Sequence, residues 1–128
     1  MKRDMDLIRE LMLKLESLPM RSGGIVLIKG DTDELQVDGY GVDQIDYHLV
    51  LIREAGLIDT PGSGPLGGGM PFRRLTWAGH DFLDSVRSPD VWDRTKQAAS
   101  AAGGFTVELL VFAAKTYLEG KIKGLIGG

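Results

Sequence analysis

Cysteine is absent from this chain of 128 residues, which removes disulfides, thiolate zinc sites and cysteine nucleophiles together. Histidine is scarce. With only His48 and His80 present, a serine triad would have to recruit one of them, and the adjacent pair His80 and Asp81 does not serve, because neighbours on a helix point to different faces. No H-E-x-x-H or comparable ligand spacing occurs. The sequence offers no convergent acid, base and nucleophile and no cofactor pattern, so the expectation is a protein that is not an enzyme and binds no metal. It also lacks any run of about 18 apolar residues, the length a membrane span needs. The opening MKRDMDLIREL is broken by charges every few residues and has no uninterrupted signal-peptide core, so a cytoplasmic location is expected. Basic residues are missing locally as well. Residues 30–46 hold Asp31, Asp33, Glu34, Asp38, Asp43 and Asp46 and no lysine or arginine. With a net charge of −3, any attraction to nucleic acid must come from a local patch.

What is present reads as one small domain with an appendage. Met5, Ile8, Leu11, Met12 and Leu15 recur at helical spacing over residues 4–17, with Asp4 and Asp6 at the start and Pro19 beyond the end. IVLIKGDTDELQV then shows a β-rich run, a polar turn and a shorter run, the pattern of a β-hairpin. Val42, Ile45, Leu49 and Ile52 restore helical spacing, and Gly56 is placed to stop that helix in the left-handed conformation. IDTPGSGPLGGGMPF is too rich in glycine and proline for regular structure in its middle, and its apolar flanks suit a second hairpin with a long mobile tip. Thr76 is a candidate N-cap for a helix burying Phe82, Leu83 and Val86. Further helices follow over residues 90–102, with Trp92 as an apolar anchor, and from residue 106 to about residue 126. The last is broadly apolar, and from Arg94 onward Lys96, Lys115, Lys121 and Lys123 outnumber Glu108 and Glu119. The expectation is that such a helix packs on its own domain or across a two-fold axis; an anionic lipid surface is the rarer alternative, so no membrane partner is expected.

Two stretches resemble winged-helix regulators. YHLVLIREAGLI, residues 47–58, is similar to the recognition helix and following turn of the arsenic-repressor type, and FRRLTWAGHDFLD resembles the strand and helix that close the wing, with Leu75, Thr76 and Gly79 in its L-T-x-x-G pattern. More closely, MKRDMDLIRE, YHLVLIREAGLI, RLTWAGHDFLDSVR and VWDRTK together resemble a family of short uncharacterised bacterial and prophage proteins defined as a domain of unknown function. The resemblance implies an α+β, mainly helical fold: a winged helix-turn-helix-like domain over residues 1–88, with an extra hairpin after the first helix, and a helical extension over 89–128. One departure is that the place of a supporting helix falls in IVLIKGDTDELQV. Either a very short helix lies near residues 31–35, or the motif is rebuilt around a hairpin.

Periodicity puts Asp43, Gln44, Asp46, Tyr47, His48 and Arg53 on the outward side of the second long helix. Gln44 suits adenine in the major groove, while Tyr47, His48 and Arg53 suit bases or phosphate, and Arg73 and Arg74 follow the glycine-rich tip as wing residues do. The alternative is a solvated face with Tyr47 and His48 packed inward. The acidic span 30–46 opposes phosphate and suits a basic protein partner. It lacks calcium-loop spacing, and GSGPLGGG lacks the Lys-Ser/Thr ending of a phosphate cradle. The leading expectation is a bacterial or phage-borne DNA-binding regulator, homodimeric through its terminal helices, and the alternative is a protein-interaction module on the same fold.

Overall fold

The computed structural model describes residues 1–20, 23–62, 69–101 and 106–126. It is an α+β structure dominated by five helices, with two small antiparallel sheets among the described residues. The chain divides into two compact units, Met1–His80 and Asp81–Gly128.

In the first unit, helix α1 (Met5–Ser17) begins where the Asp4 side chain accepts the Leu7 N–H at 3.2 Å. That bond satisfies one of the orphan donors of the first turn. Leu18 adopts an extended conformation ahead of Pro19 and ends the helix. One face of α1, Leu7, Ile8, Leu11, Met12 and Leu15, is the centre of the core, and it packs against helix α2 (Val42–Glu54), whose Ile45, Leu49 and Ile52 are fully or almost fully buried. Gly56, at φ 73°, stops α2 as its position predicts, since a left-handed residue here costs glycine nothing.

The segment IVLIKGDTDELQV does not close on itself as a hairpin. Strand β1 (Val26–Ile28) instead pairs with strand β3 (Met70–Phe72), in the register Val26 with Phe72, Leu27 with Pro71 and Ile28 with Met70. The other half of the segment folds as a 3-10 turn, Asp33–Leu35, the short helix that was the alternative. Local bonding explains the outcome. Thr32 returns to Lys29 through its hydroxyl, which accepts the Lys29 N–H at 2.9 Å, and the Gln36 amide donates to the carbonyls of Gly30 and Thr32, each at 2.9 Å. The turn carries Leu35 into the core, which a surface hairpin would not do. Gly30 presses against α2, donating its N–H to Asp46 Oδ1 at 3.2 Å, and a β-carbon there would overlap the Val42 carbonyl oxygen.

Strand β2 (Ile58–Asp59) pairs with strand β4 (Arg74–Leu75). The Arg73 and Thr76 N–H groups extend that ladder to the carbonyls of Asp59 and Leu57, each at 3.0 Å. The β3 and β4 segments, separated only by Arg73, thus bond β1 and β2 respectively. The glycine-rich tip expected between β2 and β3 falls largely on residues 63–68, outside the described residues.

Helix α3 (Trp77–Val86) starts at Thr76, the expected N-cap: its hydroxyl accepts the Gly79 N–H at 3.0 Å and donates to the Gly56 carbonyl at 2.6 Å. The first turn lies so close to the chain at Leu57 that only glycine fits at position 79. Phe82, Leu83 and Val86 are buried, as their spacing implies.

In the second unit, helix α4 (Pro89–Ala101) buries Val91, Trp92, Thr95 and Ala99, and helix α5 (Val107–Ile126) packs along it. The Tyr117 hydroxyl donates to Asp90 at 3.2 Å, tying the second half of α5 to the first turn of α4. The broad apolar stripe of α5 is only partly used: Leu110 and Ala114 are buried, while Phe112, Ile122, Leu125 and Ile126 stay exposed. The glycine pair expected to separate these helices lies outside the described residues. No helix is long and apolar enough to cross a membrane among the described residues.

Candidate functional site

The face of α2 expected to read a groove is assembled differently from its periodicity. His48 is only 1% exposed. Its Nε2 accepts the backbone N–H of Asp4 at 2.8 Å, and its Nδ1 lies 2.7 Å from the Gln44 carbonyl. These partners assign the neutral tautomer with the proton on Nδ1, since a backbone N–H can meet only an acceptor at Nε2. The outward placement of His48 is therefore corrected: the ring turns inward and fastens the entrance of α1 to α2.

Asp4 is the hub of that joint. One carboxylate oxygen caps α1 and the other accepts the Tyr40 hydroxyl at 2.8 Å. The Tyr40 phenol is pushed up to about 12, first because ionisation would break its hydrogen bond to Asp4, then through burial, then through the negative charges of Asp4, Asp6 and Glu10. The role of Asp4 at this joint was beyond sequence reasoning, because spacing shows a capping aspartate but not the two long-range partners it gathers.

Gln44 remains on the surface, but its side-chain oxygen accepts the Gly41 N–H at 2.9 Å, reaching back across the first turn of α2 as half of a capping box. Tyr47 is 39% exposed and meets the His48 ring edge-on, with centroids 5.6 Å apart. Val42 and Asp43 are exposed beside it, as is Asp46, whose one oxygen is held by Gly30. Arg53 is half-buried in the last turn of the helix. The outward face of α2 thus carries Asp46 and Asp43 between Val42 on one side and Tyr47 on the other.

At the base of the expected wing, Arg73 and Arg74 converge on one acid. Their guanidinium groups lie 3.4 and 3.9 Å from Asp59 Oδ2, and the Arg74 side chain is 70% exposed. Two cations on one carboxylate leave a local positive excess, and the exposed ion pairs themselves add little stability. Beside them is a feature that the inward periodicity of the sequence does not mark. Trp77, the first residue of α3, is 85% exposed and stands with Arg74 and His80 around a shallow recess lined by the buried Ile58 and Leu75. A signal was available: Trp77 lies five residues before Phe82, well off the buried stripe of its helix. Among the described residues the indole N–H has no hydrogen-bond partner, and an indole left in water forgoes a large apolar burial. No group of three or more His, Cys, Asp or Glu residues is placed to hold a metal ion among the described residues.

Residues 2–105 match the family described as Hypothetical protein (DUF2513), a match that takes in α1 to α4 and ends ahead of α5. An uncharacterised protein of Haemophilus influenzae is 38% identical over 97 residues, covering 75% of this chain and 76% of that protein. No solved structure matches.

Proposed function

Since this chain belongs to the DUF2513 family of hypothetical proteins, we propose that it is a bacterial or phage-borne cytoplasmic interaction module without catalytic activity, built on a winged-helix-like scaffold, that offers the α2 face to a protein partner. The order of α1, β1, 3-10 turn, α2, β2 and the β3 and β4 segments supports the scaffold, with the 3-10 turn standing where a supporting helix would be.

The observation that carries the reading is the composition of the α2 surface. His48 is internal, the Gln44 oxygen is tied to its own helix, and what faces outward is Asp43 and Asp46 with Val42 and Tyr47 on either side. Phosphate contacts supply most non-specific affinity for DNA, so carboxylates in the approach act against it. The same carboxylates, flanked by exposed apolar side chains, suit a partner bearing lysine or arginine beside an apolar side chain.

The test is binding of a labelled mixed-sequence DNA duplex, followed by fluorescence anisotropy at low and then moderate salt. No binding at low salt is expected. Binding that weakens steeply with salt would overturn the reading in favour of a DNA-binding regulator, a second reading supported by the exposed Arg74 beside Arg73 at the wing base. In that case Arg74→Ala lowers affinity across all sequences.

A further inference from the structure

Two surfaces of the unit Met1–His80 are opposite in charge and alike in exposing large apolar side chains to solvent. One is the α2 face, with Asp43 and Asp46 flanked by Val42 and Tyr47. The other is the recess at the wing base, where Trp77 stands exposed with Arg74 and His80 above Ile58 and Leu75. Among the described residues Asp59 is the one acid lining the recess, and both Arg74 of the lining and the neighbouring Arg73 reach its Oδ2, so the two cations outweigh it there. The α2 face lies at the end of residues 30–46, which contain no cation.

Resting on the reading of α2 as a protein-docking face, we infer that its partner is a second copy of this chain: the Trp77 recess of one copy receives the α2 face of the next. The indole packs on Tyr47, and Arg74 approaches Asp43 and Asp46 beside it. Tryptophan and arginine are the residue types that carry most binding energy when a partner excludes water around them. The charged part of such a contact weakens as salt shortens the screening length to about 8 Å at physiological ionic strength, while the indole part persists. Because the two surfaces differ, the contact is head to tail. Each added copy leaves one free surface of each kind, and growth continues unless the rotation closes a ring.

The test is sedimentation velocity of the full chain over a range of concentrations. The weight-average mass is expected to rise above that of one chain with concentration, and to rise less at high salt. Trp77→Ala, which removes the recess, and Asp43→Lys, which disables the face, each weaken association by about tenfold or more. Mixed together, the two variants form pairs that stop at two chains, because one working surface remains on each. Both positions are exposed, so melting curves should match the wild type, and Arg74→Ala serves as an independent recess variant. A single-chain mass at every concentration overturns the inference. So does association that Trp77→Ala and Asp43→Lys leave unchanged, which assigns self-association to another surface such as α5. Neither result touches the protein-docking reading, which fails on duplex binding at low salt.

Discussion

His48 accepts the backbone N–H of Asp4 at 2.8 Å, so a ring on α2 supplies a hydrogen-bond acceptor to the residue that caps α1. The bond is long-range in sequence and internal in space. An imidazole here positions two helices.

Replacing that ring tests its role. His48→Leu keeps an apolar filling but leaves the Asp4 N–H without an acceptor, at an expected cost of about 1–3 kcal/mol. His48→Gln retains an amide oxygen that can reach the place of Nε2, so its loss should be smaller. Urea unfolding of the two variants checks the order, and equal losses would assign the effect to packing alone.

The Tyr40 to Asp4 bond predicts an alkaline limit to stability. The phenol has a folded-state value raised to about 12 from 10.0. A raised value means the stabilising contribution is fully present below pH 10 and is lost as pH rises through about 12. Phenolate absorbance should show a late-titrating component that Tyr40→Phe removes together with that part of the fall in stability.

Glycines at two places should respond in opposite directions. Gly79→Ala drives a methyl group into the Leu57 carbonyl and to within 3.2 Å of the Met12 terminal methyl group. A loss of about 2–3 kcal/mol is expected. Gly120, within α5, has open space where an alanine methyl group would sit, with nothing within 4 Å, and Gly120→Ala should stabilise the helix by about 0.5–1 kcal/mol. Thermal melting of both variants checks the sign of each.

Thr95 is 1% exposed, and its hydroxyl oxygen has no hydrogen-bond partner among the described residues. Removing an unsatisfied buried polar group while keeping the β-branched shape recovers its desolvation cost. Thr95→Val is expected to raise stability by about 1 kcal/mol, measured by chemical denaturation. A destabilised variant would point to a partner the hydroxyl finds in solution.

Local signals were legible in the sequence because they act over a few residues. The α1 and α2 stripes, the stop at Gly56 and the Thr76 cap all depend on spacing or on a single residue's conformational preference. The partner of β1 was not legible. Val26–Ile28 had an apolar neighbour close at hand in residues 35–37, and nothing local favours Met70–Phe72 over it. The deciding factor, burial of Leu35 by a turn, belongs to the assembled core. His48 was misplaced for a related reason. Its helical angle lies at the edge of the buried stripe, and the donor that draws it inward comes from Asp4, far away in the chain. Trp77 is hidden in a different way, because periodicity marks the residues that match the inward repeat, whereas an exposed indole shows itself by missing it.

The pairing of β1 with β3 also sets a sequence of events during synthesis. Val26–Ile28 leaves the ribosome well before Met70–Phe72, its strand partner. Until that later segment emerges, β1 is an apolar strand with both edges open, and Ile25, Val26 and Leu27 remain exposed even in the finished fold. Helix contacts between α1 and α2 close a shorter loop and can form first. A nascent chain that has released residues 26–28 but not yet residues 70–72 therefore leaves β1 open to wrong strand pairing.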